Sequence, residues 1–327
     1  MRRALTITLA GLALAGAVEA QASIAGLLLN QTANINLVAA TGYTQTKYPI
    51  VLVHGVTGFD TLGGLVNYFH TVPWNLERDG AKVYVASVAA VNDSEQRGAE
   101  LARQIVPWAT ANGGKVNLIG HSQGSPTSRV TASLRPDLVA SVTSVDGVNK
   151  GSKVADVLRG VIPANGLIEG GVGALNTALG SIINLLSGSN HPQDGLAALA
   201  TLTTPGTTAL NSRHPWGVNN ASYCAKSTEL QNVRGYSIRY FSWTGNATYT
   251  NLFDAVDPLL AITGLVFAGE KNDGLVGTCA TYLGAMLGDT YNMNHVDAIN
   301  HLFGVRGWTD PVSLYRQHAN RLKNKGV

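Results

Sequence analysis

Charge is scarce in this chain: Asp, Glu, Lys and Arg make up only 13% of its 327 residues, and nowhere do they gather into a block of one sign. That excludes the basic stripe on which nucleic-acid binding rests, and net charge points to no partner. Internal repeats, charge blocks and long linkers are also missing, which excludes a solenoid or a string of modules. Cysteine is nearly absent. Cys224 and Cys279 allow a single pairing across 55 residues, which would contribute roughly 4 kcal/mol by loop closure. What remains is a 34.2 kDa chain, 45% hydrophobic, able to bury a large core in one α/β domain.

The first residues are of a different kind. Met1-Arg2-Arg3 leads into the apolar run "ALTITLAGLALAGAV", and small residues stand at Val18, Ala20 and Ala22. This is the layout of a secretory signal peptide over residues 1–22, cleaved after Ala20 or Ala22. Its apolar core of about 15 residues is short of the roughly 20 that a spanning helix needs. The arginine pair hints at twin-arginine export. Without Arg2, Arg3 and Glu19 the formal charge falls from +3 to about +2. Export through the periplasm to the outside places the two cysteines where a disulfide is favoured. Residues 23–42 read as an irregular extension, and 23–327 as a single domain.

Four runs read as strands: "YPIVLVHG" (48–55), "AKVYVASV" (81–88), "KVNLIG" (115–120) and "VASVTSVDG" (139–147). Their near-continuous Val, Ile and Leu suit parallel strands buried on both faces. Between them, "NLERDG" and "RGAELARQIVPWATANGG" mix polar and apolar residues at helical spacing. The fold class is therefore α/β, a mostly parallel sheet covered by helices on both faces.

Within "KVNLIGHSQGSPTSRV" one serine, Ser122, is held between Gly120 and Gly124 where a buried strand gives way to a helix with Pro126 in its first turn. Gly-x-Ser-x-Gly in that setting is the nucleophile elbow, a turn too tight for flanking side chains that lifts the hydroxyl above the sheet. A serine hydroxyl needs a base, and the base an orienting acid, in the chain order Ser, acid, His. His295, His301 and His318 lie late enough. His318 sits in "SLYRQHANRLK", a surface helix pattern with the ring in solvent, and His301 falls inside the apparent helix "DAINHLF". His295 just precedes that helix and is favoured. Asp273, in the turn "GEKNDGLVG", is the favoured acid, with Asp254, Asp257, Asp289 and Glu270 as rivals. Backbone N–H groups for an oxyanion fall on Gln123 and, after the first strand, on Val56.

Taken together, "YTQTKYPIVLVHG", "RDGAKVYVASV", "KVNLIGHSQG", "RPDLVASVTSV", "NDGLVGTC", "NMNHVDAIN" and "YRQHANRLKN" resemble the secreted bacterial triacylglycerol lipases of the Pseudomonas, Burkholderia and Proteus type, from Tyr43 to the C-terminus. The resemblance implies an α/β-hydrolase fold, Ser122 as nucleophile, Asp273 as acid, His295 as base, and the amides of Val56 and Gln123 as oxyanion hole. It also implies one structural Ca²⁺ held by Asp257, Asp297 and the backbone oxygens of His301 and Val305, with Asp254 as the alternative carboxylate. Read alone, Asp257 and Asp297 are ordinary surface acids. The Cys224–Cys279 disulfide is similar to that of the Pseudomonas-type members. Two features depart from those members: Ser125 replaces a glycine, and "GVNKGS" (147–152) replaces a Pro-His-containing segment. Both are similar to the Proteus-like branch, which leaves dependence on a lipase-specific foldase open.

Residues 167–187, "LIEGGVGALNTALGSIINLLS", put Ile168, Val172, Leu175, Leu179, Ile182 and Leu186 on one helical face and Thr177, Ser181 and Asn184 opposite. Between Gly170 and Asn190 there is no charge. A core helix and a mobile lid within 153–190 both fit this pattern, and the resemblance implies the lid. The expectation is an extracellular lipase hydrolysing long-chain triacylglycerols at a lipid–water interface. A carboxylesterase or polyester depolymerase on the same triad is the alternative, and a non-catalytic exported binding protein a third.

Overall fold

The four apolar runs form four adjacent parallel strands of a seven-stranded sheet; three are buried throughout, but the one from 81–88 lies at the sheet edge and is only half-buried, against the expectation that all four are covered on both faces. The computed structural model describes residues 41–56, 61–62, 66–89, 92–162, 171–187, 198–301 and 304–327. The expected leader, the extension up to residue 40, Ile168 and the side chain of Leu186 lie outside the described residues.

Strands β1 (Ile50–Val53), β4 (Val83–Val85), β5 (Val116–His121) and β6 (Val139–Val145) run parallel in the order β4-β1-β5-β6 and continue into β8 (Tyr236–Gly245). Strand β7 (Leu230–Val233) is antiparallel to the first half of β8, and β9 (Ala285–Tyr291) is parallel to its second half. A separate pair, β2 (Thr61–Leu62) and β3 (Val66–Asn67), lies off this sheet.

Alternation along β1 shows why both faces must be covered. Val51 and Val53 pack with Leu101 and Ile105 of helix α2 (Ser94–Thr110), whereas Ile50 and Leu52 pack with Leu76 of α1 (Val72–Glu77) and Tyr315 of α8 (Pro311–Asn324). Helix α3 (Gly124–Leu134) lies against α2 so closely that a Cβ on Gly98 would come within 2.4 Å of Val130. Asp93 caps α2, its carboxylate accepting from the amides of Glu95 at 2.9 Å and Gln96 at 2.8 Å. The remaining helices are α4 (Lys153–Leu158), α5 (Gly171–Ser187), α6 (Thr204–Arg213) and α7 (Asp257–Gly264).

Register decides where chemistry can occur. Val53 pairs with Gly120, His121 with Val145, and Val145 with Trp243, so neighbouring strands end level. His54-Gly55, Ser122 and Asp146 therefore leave the sheet at one carboxyl edge, where ligands bind in open α/β sheets.

Three further expectations are corrected. Within "DAINHLF", the described residues 297–301 form a 3₁₀ turn, Asp297–Ile299, rather than the expected helix, ended by Asn300 in the left-handed region at φ 56°. Asp257 and Asp297 are fully buried rather than surface acids. His318 is buried as well, because α8 packs that face onto the sheet, with the ring 5.1 Å from Phe241 and 5.3 Å from Trp243. Arg321 donates to its Nδ1 at 3.2 Å, and its Nε2 lies 2.8 Å from the Thr143 hydroxyl. That pattern holds the ring neutral, and burial, with Arg321 nearby, pushes His318 down from 6.5 to about 3.

The unfolded chain protonates this imidazole near pH 6.5 and the folded chain only near 3, so its contribution is complete above 6.5 and declines as pH falls below it. In urea titrations at pH 7 and pH 5, wild type is expected to lose about 2 kcal/mol more stability than His318→Gln. Equal losses would show that the buried ring does not set the acid sensitivity.

Candidate active site

The elbow is enforced by backbone contact. A Cβ on Gly120 would lie 2.2 Å from the Gly124 carbonyl oxygen, and one on Gly124 would lie 2.0 Å from that of Val53, so neither position admits a side chain. Ser122 between them adopts φ +55°, a conformation costing on the order of 1–3 kcal/mol in a non-glycine residue. Three hydrogen bonds hold it there: its amide donates to the Val145 carbonyl at 3.1 Å, and its carbonyl accepts from Ser125 at 3.1 Å and Val148 at 3.3 Å. Ser122 lines a narrow, mostly apolar pocket that His295 also lines, together with Val56, Leu179, Ile182 and Leu202.

Of the three histidines considered, only His295 meets the favoured acid. Its Nδ1 lies 2.8 Å from Asp273 Oδ2, and its amide donates to the Asp273 carbonyl at 2.9 Å. The other carboxylate oxygen of Asp273 accepts from the amides of Leu275 at 2.9 Å and Val276 at 2.7 Å, so the loop satisfies its own buried acid. Burial pulls the His295 imidazole down, yet the charge and hydrogen bond of Asp273 outweigh it and leave the ring above its usual value. The rival acids have other work. Glu270 pairs with Lys153 and Tyr223, Asp289 with Lys226 and Tyr282, and Asp254 accepts from the Val256 amide.

The loop bearing Asp273 is tied down from outside. Cys224 and Cys279 are bonded with Cα atoms 4.7 Å apart, and Cys279 sits in the 3₁₀ turn Thr278–Thr281 just beyond that loop. Lys150 donates to the carbonyls of Ser222, Tyr223 and Ala225 at 2.9–3.1 Å, gripping the other half of the disulfide. The two departures from the Pseudomonas-type pattern turn out to be partners: the Ser125 hydroxyl donates to Asn149 Oδ1 at 2.9 Å, and Asn149 Nδ2 bonds Ser144 Oγ and the Thr281 carbonyl.

Several supporting residues carried no motif. Arg97 of α2 is buried, donates to the Gly55 carbonyl at 3.0 Å, Gln123 Oε1 at 2.6 Å and the His54 carbonyl, and so joins the loop after β1 to the elbow. Burial lowers its guanidinium to about 10, still charged at neutral pH. Gly55 stands against the nucleophile, where an added Cβ would be 2.8 Å from Ser122 Cβ. Val56 lines the same pocket as Ser122, and Gln123, next to Ser122 in the chain, is the N-cap of α3. Tyr68 accepts from the Gly55 amide at 3.2 Å and donates to His121 Nδ1 at 2.8 Å, and His121 Nε2 donates to the His295 carbonyl at 2.9 Å. This chain keeps His121 neutral; burial, with His295 beside it, holds its pKa well below the usual range. The only early signal of these partners was their proximity in sequence to the elbow and to the first strand.

A second polar centre lies beside the His295 loop. Asp257 accepts from the amides of Thr250 and Asn251 and from Asn294 Nδ2, and Asp297 Oδ2 accepts from the Thr250 hydroxyl at 2.7 Å and the Asn294 amide at 3.1 Å. Asp297 Oδ1 and Asp254 Oδ2 are buried with no hydrogen-bond partner among the described residues. Burial, with the charges of Asp254 and Asp257, pushes Asp297 up to about 6. Hard, buried, under-neutralised oxygens fit a divalent cation such as Ca²⁺.

Residues 48–164 match the family model described as alpha/beta hydrolase fold. A triacylglycerol lipase of Vibrio cholerae is 54% identical over 290 residues, covering 88% of this chain and 91% of that protein. Triacylglycerol lipases of Pseudomonas fragi and Burkholderia plantarii are 39% and 37% identical, over 86% and 99% of this chain and 98% and 97% of theirs. The crystal structure of Staphylococcus hyicus lipase shares the fold, with a TM-score of 0.57 at 17% identity over 88% of this chain and 99% of that one.

Replacing Arg97 by leucine would strand three buried acceptors. The expected result is a stability loss on the order of 3 kcal/mol in urea denaturation and about a tenfold lower kcat on a soluble ester, from a misplaced elbow. Wild-type values of both would remove Arg97 from the support of the site.

Proposed function

The chain belongs to the bacterial triacylglycerol lipases of the alpha/beta hydrolase fold, and we propose that it acts outside the cell on long-chain acylglycerols through Ser122, His295 and Asp273. The observation that carries this reading is the Asp273–His295 contact of 2.8 Å beside a cavity that His295 shares with Ser122. In the reaction His295 removes the Ser122 proton as the hydroxyl attacks the ester carbonyl, then delivers it to the departing alcohol. Asp273 fixes the imidazole tautomer and balances the charge that forms on it. The amides of Val56 and Gln123 receive the oxyanion. Water repeats the sequence on the acyl-enzyme and releases the fatty acid.

The character of the cavity supports a lipid substrate. Leu179 and Ile182 of α5 line it together with Leu199 and Leu202. Leu175, Leu179 and Ile182 are buried, whereas Asn176 and Thr177 are exposed; Val172, expected on the same apolar face, is exposed as well, so only part of that face is covered and Leu179 and Ile182 turn to the site. Lifting it would expose three aliphatic side chains, costing roughly 1.5–3 kcal/mol each in water. A lipid surface removes that cost, which is the physical basis for treating α5 as a lid that opens at an interface.

Asp257 and Asp297, with the carbonyls of His301 and Val305, would hold one Ca²⁺, and Asp254 is the alternative carboxylate. The ion would supply structural charge neutralisation beneath the His295 loop and take no part in bond making. Export rests on the leader pattern of residues 1–22, and none of the described helices is long and apolar enough to cross a membrane.

Ser122→Ala is expected to lower hydrolysis of both emulsified triolein and dissolved tributyrin by a thousandfold or more, on the order seen when a nucleophile is lost, with an unchanged melting curve. Wild type should work faster on triolein above its solubility limit; retained hydrolysis in the variant rejects the nucleophile, and no preference for emulsion rejects the lid. Chelation with EDTA should lower Tm and activity together, both restored by added Ca²⁺. A chelator-treated enzyme with unchanged Tm would take Asp257 and Asp297 off the metal.

A further inference from the structure

A second acid stands behind His295. Asp146 follows the last residue of β6, is fully buried, and sits in the left-handed region at φ +46°. That backbone conformation turns its side chain inward at the carboxyl edge of the sheet rather than along the strand. One oxygen, Oδ1, accepts from the Gly245 amide at 2.8 Å; the other, Oδ2, has no hydrogen-bond partner among the described residues. A carboxylate oxygen of Asp146, a ring nitrogen of His295 and one of His121 all lie within 4.8 Å of one another. The trio is a poor cation site, since both nitrogens of His121 are engaged by Tyr68 and the His295 carbonyl. Nothing in the triad described above uses Asp146, yet a buried carboxyl with one oxygen left unbonded is costly and requires a reason.

We propose that Asp146 is a reserve acid for the base, a positioning residue that stays idle while Asp273 carries the negative charge and orients His295 when that charge is removed. This rests on the Ser122–His295–Asp273 reading and deepens it.

The electrostatics run in the same direction. Burial, then the charge of Asp273, push Asp146 up to about 8, while His295, the Thr244 hydroxyl and the Gly245 amide favour its ionised form. The ionisable groups facing it are Asp273, His295, His121 and Tyr315 of α8. Two carboxylates this close to one imidazole cannot both ionise freely, so the neutral one is the one with fewer donors. Asp273 has two loop amides on one oxygen and His295 on the other, whereas Asp146 leaves one oxygen unbonded. Removing the Asp273 charge removes the second cause of Asp146's neutrality and leaves burial, so the takeover is partial.

The test is a two-residue cycle with Asp146→Asn and Asp273→Asn, measured on a dissolved p-nitrophenyl ester, with rates expressed per site that reacts with a fluorophosphonate. Asparagine tolerates the left-handed backbone and keeps the acceptor for the Gly245 amide, so Asp146→Asn is expected to fold. Alone it should lower kcat by no more than about threefold, with KM unchanged. Asp273→Asn should be clearly impaired, and adding Asp146→Asn should cost a further tenfold or more, a non-additivity characteristic of coupled neighbours. A double variant equal to the product of the singles overturns the proposal while leaving Asp273 as the acid. A strong loss from Asp146→Asn alone with a mild one from Asp273→Asn overturns it too, and makes Asp146 the primary acid. If the double variant is unstable, Asp146→Gly/Asp273→Asn, which suits the positive φ, reads the same comparison.

Discussion

A fully buried carboxylate that must stay charged is the constraint around which this molecule is arranged. Asp273 has no exposure to water, and Leu275, Val276 and His295 supply donors to both of its oxygens. A flexible loop could not hold three donors on one carboxylate. The surrounding devices remove that flexibility: the Cys224–Cys279 bond next to the loop, the Lys150 clamp on the segment around Cys224, and the Lys153–Glu270 pair at its start. Stability and activity therefore share the same residues here, and damage to the clamp would be felt first at the imidazole.

How much of this was legible in the sequence depends on what surrounded each residue. The strands 50–53, 83–85, 116–121 and 139–145 fall inside the four apolar runs to within a residue; three of them are apolar because they are covered on both faces, whereas 83–85, at the sheet edge, is half-buried. The elbow was legible because its glycines answer to local backbone contacts only. His318 misled because the pattern around it, "SLYRQHANRLK", is that of an amphipathic helix, and pattern alone does not say that Phe241 and Trp243 wait on the side where the ring falls. Asp257 and Asp297 read as surface acids since their burial depends on loops brought together from residues 250–257 and 292–297. Arg97, Tyr68 and Asp146 have no motif at all; their roles come from distances across the sheet, which one sequence does not contain.

The loop after β1 and the loop bearing His295 are also connected. From the Gly55 amide through Tyr68 and His121 to the His295 carbonyl runs an unbroken path of hydrogen bonds, and Arg97 fastens the same glycine to Gln123 on the other side. Each group in that path has one available proton orientation once its neighbours are set. The polar face of the site is thus rigid, whereas the opposite face, formed by Leu179, Ile182, Leu199 and Leu202, is aliphatic and adaptable. Fixed chemistry beside compliant walls suits a substrate whose ester is constant and whose chains vary.

The tight backbone at the elbow has a practical corollary for anyone wishing to alter chain-length preference by directed evolution. Positions 120 and 124 face carbonyl oxygens closer than any side chain can approach, so randomising them fills a library with collapsed clones. Diversity belongs instead at 179, 182, 199 and 202, where a methylene more or less reshapes the acyl channel without touching the machinery that cuts.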